Sequence, residues 1–336
     1  MRRDRILLAH GGGGSLTREL ITEIFEPEFE NPVLKPLDDS AVLALADGKF
    51  AFTTDSYVVK PFFFPGGDIG KLAVCGTVND LAMQGAEPLW LSLGLILEEG
   101  LAISDLRKIV RSIHAAAEDV GVQIATGDTK VVERGKCEGL YINTTGLGRV
   151  VAKKRLASTN VKPGDAVILS GYIGDHGVAV MSQREGISFA TSVVSDCAAL
   201  WPLVKAILET GLEIHAMRDP TRGGLAAAVC DIAAASAVGI RLDENALPIS
   251  REVRGACDLL GLDPLTIANE GKVLVFCPGE VAERVVSVMS RHPLGRHARI
   301  IGGASASPKG MALLRTTIGG ERIIDMPTGE DLPRIC

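Results

Sequence analysis

The chain has 336 residues, of which 46% are hydrophobic and 23% charged, and its formal net charge is −6. A chain of this length can form two domains, each with a buried core. The acidic balance leaves no basic stripe, which argues against nucleic-acid binding. No apolar run approaches the ~20 residues that a membrane span needs, so a membrane partner is not expected either.

The seven cysteines indicate the compartment. No two of them have the C-x-x-C spacing of a zinc knuckle or a thioredoxin-like motif. An odd number of cysteines spread through a long chain is typical of a reducing environment. The opening "MRRDRILLAH" has too few apolar residues for the core of a signal peptide. We therefore expect a cytoplasmic protein.

The first half of the chain alternates helical and extended patterns. "SLTRELITEIF" predicts a helix over 15–25 with Ser15 as its N-cap. Short strands are predicted in "SAVLAL" and "KFAFTTD", on either side of a turn at Asp47 and Gly48. There follow an apolar helix over 69–84, a buried strand "LWLSLGLIL", a helix over 103–120 and strands in "VQIATGD" and "GLYINTTGLG". This pattern indicates an α+β fold with several neighbouring strands.

A second domain begins near residues 150–162, where "NVKPGDAVILSG" combines a Pro-Gly turn with a strand. Helices are predicted at about 176–185, 196–210, 223–237 and 279–290, and strands near 166–170, 272–277, 298–302 and 311–315. After about residue 324 the apolar periodicity ends, and Pro327, Gly329 and Pro333 oppose regular structure.

The glycine run that follows His10 has two readings. Gly11, Gly12, Gly13 and Gly14 form either a flexible N-terminal linker or a phosphate site, because the run leads directly into the predicted helix. No Lys-Ser/Thr follows, so the run is not a Walker A motif.

Four acidic residues of the first half suggest a metal–nucleotide site. Asp39 precedes a predicted strand, and Asp55 and Asp128 end predicted strands, where a lone carboxylate is usually a turn or cap residue. Asp80 differs, because a carboxylate among apolar helix neighbours is costly unless it is paired or bound to metal. Mg²⁺ prefers such hard oxygen ligands and bridges them to phosphates, and Lys130 can neutralise phosphate charge during transfer.

The second half contains three further candidates. "RDPTRGGLAAAV" places Asp219 before a helix start that is either simply capped or an anion site. Glu270 in "IANEGKV" follows an apolar stretch and, taken alone, is expected to be a solvated loop residue. His176 lies in a glycine-rich turn, where a lone histidine is more often structural than catalytic.

The segments "DDSAV", "TTD", "TVNDLAMQGAEP", "TGDTKVV", "DPTRGGL" and "ANEG", in this order, resemble the PurM-type ATP-binding superfamily. That superfamily includes aminoimidazole ribonucleotide synthetase, selenophosphate synthetase and thiamine monophosphate kinase. With the closing "PRIC", the chain is similar over essentially its whole length to the HypE family of hydrogenase maturation factors. Selenophosphate synthetases carry a Lys and a reactive Cys or Sec in the N-terminal glycine loop. Here that loop, His10 to Ser15, has neither residue. Thiamine monophosphate kinases have no reason to end in a cysteine tail.

The resemblance implies a PurM-like architecture of two α+β domains. Residues 1–155 would form an ATP-binding domain that pairs with a second copy across a β-barrel-like interface. Residues 156–325 would form the C-terminal domain, and residues 326–336 a flexible tail. Ten residues from Pro327 reach at most roughly 33–36 Å when extended, which would let the terminal thiol enter its own ATP site and then leave it.

The resemblance also implies the reaction. A carbamoyltransferase, HypF, would load a carbamoyl group onto Cys336, ATP would drive dehydration of that group to a thiocyanate, and cyanide would pass to iron on a HypC–HypD complex. Cys336, Lys130 and Glu270 would form the reacting centre, with Glu270 the better base because Lys130 is normally charged. Mg²⁺ would bind Asp39, Asp55, Asp80 and Asp219. The nucleotide would contact Gly11, Gly12, Gly13, Gly14, Asp128, Lys130 and Arg222.

Two alternatives to the dehydratase remain at this point. One is a PurM-type kinase or synthetase that acts on a small molecule, with an incidental tail. The other is a scaffold that responds to nucleotide without catalysis.

Overall fold

The computed structural model describes residues 14–25, 38–45, 48–184, 192–329 and 334–336. Gly11, Gly12 and Gly13 lie outside these described residues. The described elements of the first half are helix α1 (Ser15–Leu20) with a π-helical turn (Ile21–Phe25), strands β1 (Ala41–Leu45), β2 (Gly48–Tyr57), β3 (Phe63–Phe64) and β4 (Gly67–Asp68), helix α2 (Ile69–Met83), strand β5 (Ala86–Glu98), helix α3 (Ile103–Val120), and strands β6 (Gln123–Val132) and β7 (Leu140–Val150).

Strands of the first half form a five-stranded sheet in the order β1-β2-β7-β5-β6, in which only the β5–β6 pair is parallel. Helix α2 packs on one face of this sheet and is buried along nearly its whole length, which explains its continuous apolar sequence. The Asp68 carboxylate caps α2 by accepting hydrogen bonds from the backbone N–H groups of Gly70 and Lys71. No helix among the described residues packs across the other face, here called the open face, and strands β1 and β6 are the two edges of the sheet.

The described elements of the second half are strand β8 (Asp165–Leu169), helices α4 (Asp175–Met181) and α5 (Trp201–Glu209), strand β9 (Ala216–Arg218), helix α6 (Gly224–Ser236), strand β10 (Gly239–Asp243), helix α7 (Arg251–Leu260), strand β11 (Leu274–Pro278), helix α8 (Ala282–Met289), and strands β12 (Arg299–Ser305), β13 (Met311–Arg315) and β14 (Glu321–Ile324). The seven strands form one sheet in the order β14-β13-β10-β12-β8-β11-β9.

Both faces of this second sheet are covered. Alternate residues of β11 serve the two sides: Leu274 and Phe276 pack with α6, whereas Val275 and Cys277 pack with α5 and α8. The apolar cluster that contains Val275 and Cys277 continues into α2 of the first half, so one apolar core joins the two sheets. The predicted α+β architecture is confirmed.

Helix α2 is tied to the second half by Asn79, which is fully buried. Its side-chain oxygen accepts the N–H of Leu200 at 2.7 Å, and its side-chain amide donates to the carbonyl of Ala198 at 3.1 Å. Asn79 therefore fixes the position of the next residue, Asp80, relative to the second sheet.

Several predicted boundaries were wrong. Asp55 and Asp128 do not end their strands, since β2 continues to Tyr57 and β6 to Val132. The helix predicted from 196 begins only at Trp201, because residues 195 and 196 use their side chains to bind backbone N–H groups. Helix α7 and the short strands β9, β10 and β14 were not predicted. Among the described helices, none is both long and apolar enough to cross a bilayer.

Candidate active site

A polar cavity of about 240 Å³ lies where the end of β2, the middle of α2 and the loop before α6 meet. Six of the eight charged side chains that line it are acidic. The principal side chains are those of Asp39, Thr53, Asp55, Tyr57, Asp80, Arg218, Asp219, Arg222 and Glu270, and Cys336 forms one side. The cavity thus brings together all four predicted metal ligands and two of the three predicted reacting residues.

Local structure explains the convergence. Residues 53, 55 and 57 alternate along β2 and share the face that is turned to α2. The Thr53 hydroxyl lies 2.8 Å from the Asp80 carboxylate on α2. Asp219 and Arg222 come from the loop that follows β9, and Glu270 from the loop that precedes β11.

Asp39, Asp80 and Asp219 form a cluster whose carboxylate oxygens lie within 4.8 Å of one another. Arg218 partly compensates them, with its guanidinium 2.9 Å from Asp39. One oxygen of Asp219 is buried without a hydrogen-bond partner among the described residues. Three hard oxygen donors with an unsatisfied lone pair suit a divalent cation such as Mg²⁺. Asp55 lies in the same cavity but outside this cluster.

Burial and mutual repulsion disfavour the charged carboxylates. Burial raises the pKa of Asp39 to about 6, with the Asp38 and Asp231 carboxylates adding to the effect and Arg218 opposing it. Burial likewise raises the pKa of Asp219 to about 7, and burial with the neighbouring carboxylates raises the pKa of Asp80 well above its usual value. A bound cation would remove this penalty.

Glu270 is buried, contrary to the expectation of a solvated loop residue, with only 2% of its surface exposed. Its backbone N–H donates to the Asp196 carboxylate at 3.1 Å, which fixes the loop. One side-chain oxygen has no partner among the described residues. Burial and the nearby Asp196 and Asp219 raise the pKa of Glu270 well above its usual range, which makes its carboxylate a stronger base than a solvated one.

The last three residues are docked against the end of β2. The backbone N–H of Val58 donates to the carbonyl of Cys336 at 3.2 Å, and the N–H of Lys60 donates to the carbonyl of Arg334 at 3.3 Å. The Ile335 side chain is 3% exposed and packs in the shared core. This docking places Cys336 in the cavity wall.

Tyr57 presents its hydroxyl in the same wall through a chain of hydrogen bonds. The Thr144 hydroxyl donates to the carbonyl of Ala73 at 3.1 Å and therefore accepts from Thr77, 2.5 Å away. Thr77 in turn accepts from the Tyr57 hydroxyl, 3.2 Å away. The Asp55 carboxylate is a second hydrogen-bond partner of the Tyr57 hydroxyl, and this contact opposes the rise that burial causes in the pKa of Asp55. The Tyr57 hydroxyl therefore lies between Thr77 and Asp55 in the cavity wall.

Asp128, Lys130 and Gly14 do not line this cavity. Asp128 and Lys130 form an exposed ion pair on β6, with nitrogen and oxygen 3.3 Å apart. The strand register places them on the open face of the first sheet, three strand spacings or about 14 Å from β2. Gly14 packs against Pro327 at the base of the tail, since Ser15 N–H donates to the Pro327 carbonyl at 2.8 Å.

Sequence reasoning missed Tyr57, Arg218 and Asp196. Tyr57 follows Thr53 and Asp55 at strand period, a signal that could have found it. Nothing local marks Asp196, whose carboxylate binds residues more than 70 positions away.

Comparison with known proteins defines the class first. Residues 37–150 match the family model "AIR synthase related protein, N-terminal domain", and residues 162–313 match its C-terminal counterpart. A solved complex named "AaThiL complexed with AMPPCP and TMP" has the same fold, with a TM-score of 0.70 at 19% identity over 94% of this chain and 96% of that one. The chain is a member of the AIR synthase-related proteins.

Within that class, the chain belongs to the HypE family. It is 48% identical to the "Carbamoyl dehydratase HypE" of Azotobacter vinelandii, over 100% of this chain and 98% of the relative. It is 50% identical to that of Rhizobium leguminosarum bv. viciae, over 99% of this chain and 95% of the relative. A HypE solved in complex with ATP is 46% identical, with a TM-score of 0.83 over 99% of this chain and 100% of that one. A HypE–HypF complex is also 46% identical, with a TM-score of 0.87 over 92% of this chain and 99% of that one.

Proposed function

We propose that this chain is an ATP-dependent carbamoyl dehydratase of hydrogenase maturation whose substrate is its own carbamoylated Cys336. The observation that carries the proposal is the position of the terminal cysteine in the wall of the cavity that also holds Glu270 and the aspartate cluster. Membership of the HypE family and the ATP complex of a 46% identical HypE support it.

The chemistry converts S–C(=O)–NH₂ into S–C≡N. The carbamoyl oxygen takes the γ-phosphoryl group of ATP, which yields ADP and turns a poor leaving group into a good one. The C–O bond then breaks, phosphate leaves with the electron pair, and nitrogen gives up both protons as the triple bond forms. Glu270 is positioned to accept protons, and the Tyr57 hydroxyl lies beside Asp55 in the wall of the same cavity.

The cation and nucleotide sites are assigned from the cavity lining. Asp39, Asp80 and Asp219, with Asp55 beside them, would hold Mg²⁺, which screens the phosphate charge when bound. Arg222 lines the same cavity and is suited to a phosphate. The glycine run 11–14 and Asp128, which does not line this cavity, are proposed as nucleotide contacts on the family resemblance alone.

The protein is proposed to act as a homodimer, because Lys130 cannot serve the cavity of its own chain. It lies on the open face of the first sheet, which also exposes Phe52, Trp90 and Ile96. Pairing of two such faces would bury these apolar side chains and bring β6 of each copy towards the other. Lys130 would then reach the reacting centre of the second copy.

HypF is the proposed donor of the carbamoyl group, supported by the solved HypE–HypF complex of 46% identity. A HypC–HypD complex that carries iron is the proposed acceptor of cyanide. A cytoplasmic location agrees with the seven cysteines, all of which are described and none of which forms a disulfide.

The test is mass spectrometry of the peptide 310–336 after Lys-C digestion, since Cys336 is its one cysteine. The protein is incubated with a HypF-type carbamoyltransferase, carbamoyl phosphate and Mg-ATP. Carbamoylation of Cys336 followed by ATP-dependent loss of one water is expected. An unmodified Cys336 with continuing ATP turnover, unchanged in Cys336→Ala, would instead indicate a small-molecule kinase or synthetase.

A further inference from the structure

His176 is a buried side chain that connects the tail to the body of the protein. It lies in the first turn of α4 and has no exposed surface. Its Nε2 lies 2.9 Å from the carbonyl oxygen of Ile335, the residue before the terminal cysteine. Its Nδ1 lies 2.8 Å from the hydroxyl oxygen of Ser195, and the ring meets Phe64 edge-on with centroids 5.3 Å apart.

These contacts select one tautomer. A carbonyl oxygen can only accept, so Nε2 must carry a hydrogen and donate it to Ile335. Nδ1 of the neutral ring then accepts the Ser195 hydroxyl hydrogen, while the Ser195 oxygen accepts the N–H of Cys197 at 3.0 Å. Burial lowers the pKa of His176, in keeping with the neutral ring. Both ring nitrogens are satisfied only while the tail is docked.

The same segment also holds the base. Asp196, next to Ser195, accepts the backbone N–H groups of Glu270 and Gly271, each at 3.1 Å, and pairs with Lys272 at 2.9 Å. Two neighbouring residues thus position two different groups. Asp196 positions Glu270, and Ser195 positions the histidine that holds the tail. The backbone hydrogen bonds from Val58 and Lys60 to the tail do not depend on a particular side chain. Arg184, which donates to the Arg334 carbonyl at 2.7 Å, and Glu138, which pairs with Arg334, also hold the tail, but both are partly exposed, whereas His176 is fully buried.

We propose that His176, oriented by Ser195, is a positioning residue that holds the docked tail through the Ile335 carbonyl and so keeps Cys336 at the cavity. Release of the tail leaves a buried N–H without an acceptor, which favours the docked state by a factor of about 5 to 100. The consequence for catalysis rests on the proposed function, but the docking itself does not.

The test compares two substitutions of His176 whose side-chain amides extend to different distances towards the Ile335 carbonyl. In His176→Gln the amide nitrogen can occupy the place of Nε2 and donate to Ile335. In His176→Asn the amide reaches only the place of Nδ1. Alkylation of Cys336 by iodoacetamide is followed in the 310–336 peptide of the full chain, without any partner. We expect His176→Asn to speed alkylation about 5- to 100-fold and His176→Gln to stay within about threefold of the wild type.

The other cysteines are an internal control, because Cys75 and Cys197 are buried beside the same core. Faster labelling of Cys336 alone indicates local release of the tail. Equal Cys336 rates in folded His176→Asn and wild type would overturn the proposal. A further control is His215→Asn, since His215 is also buried but pairs with Asp165, away from the tail.

A second measurement leaves His176 unchanged and covers the case in which its variants do not fold. The exchange of the His176 Nε2 hydrogen is followed by ¹⁵N NMR in the full chain and in a chain that ends at residue 333. Exchange at least about tenfold faster in the shortened chain is expected. Equal exchange would refute the proposed hydrogen bond from His176 to the tail. If these tests show that His176 holds the tail while Cys336 never becomes carbamoylated, the proposed function fails and the docking inference stands.

Discussion

At the scale of single residues, the base is the most direct target. Glu270→Gln keeps the shape of the side chain but removes its capacity to accept a proton, so the carbamoyl group should be loaded and then persist. We expect a fall of about 10²- to 10⁴-fold in the rate of water loss from carbamoylated Cys336, measured by mass spectrometry. Glu280→Gln, an exposed glutamate of the same domain, should leave the rate unchanged.

Tyr57 offers a second test at this scale. Tyr57→Phe removes the hydroxyl that hydrogen-bonds Thr77 and the Asp55 carboxylate but keeps the ring in the core, so we expect dehydration to slow about tenfold with little change in thermal stability. The rate is measured in the coupled assay and compared with Tyr172→Phe, whose ring packs on His297 away from the cavity. A wild-type rate in Tyr57→Phe would remove the residue from the proposed reaction.

At the scale of elements, strand β6 decides whether the site is shared between copies. If Lys130 acts on the second copy, mixing inactive Lys130→Ala with inactive Cys336→Ala should restore activity, since one cavity of each mixed dimer then has both groups. Random pairing gives about a quarter of the wild-type activity. Turnover of the mixture is measured after subunit exchange.

Glu270→Gln mixed with Cys336→Ala is the matched control for that experiment. Glu270 and Cys336 line the cavity of one chain, so their mixed dimer contains no complete site. No restoration is expected. Restored activity in this control would mean that the tail serves the second copy. An inactive Lys130 mixture would mean that Lys130 and Cys336 must belong to the same chain, which would contradict the shared site.

At the scale of the whole molecule, the acidic cavity links stability to pH. Asp39 and Asp219 have pKa values raised by burial to about 6 and about 7, above the unfolded value of about 3.9. Between these values the folded state binds more protons than the unfolded state, so the free energy of unfolding falls as pH rises from about 4 to 7. The protein without ligands should melt several degrees lower at pH 7.5 than at pH 5.

Mg²⁺ with nucleotide should reverse this trend, because a cation favours the charged carboxylates. Its stabilising effect in differential scanning calorimetry should grow with pH over the same range. Asp219→Asn should flatten both dependences. A Tm without ligands that rises from pH 5 to 7.5 would contradict the raised pKa values.

The elements that were predicted correctly are those with strong local patterns. Helix α3 shows a clear helical repeat and has the predicted bounds, and α2 is apolar along its length. Strand ends were less predictable, because pairing with distant segments sets them. Strand β6 ends at Val132, which pairs with Glu98 at the end of β5, and beyond Tyr57 the backbone of Val58 binds Cys336 instead of β7. The helix predicted from 196 failed for a similar reason, since Asp196 binds the distant Glu270 loop rather than starting a helix.

The order of motifs and the terminal cysteine were sufficient, by themselves, to predict the α+β class, the HypE family and the four carboxylates, because these depend on residue types and local patterns. Only the tertiary structure decided that Asp39, Asp80 and Asp219 lie within 4.8 Å of one another, that Glu270 is buried, and that Lys130 is remote from the cavity of its own chain. It also revealed the contact between His176 and the carbonyl of Ile335, 159 positions away. Such contacts depend on how the two sheets pack around α2, and the local sequence pattern does not predict that packing.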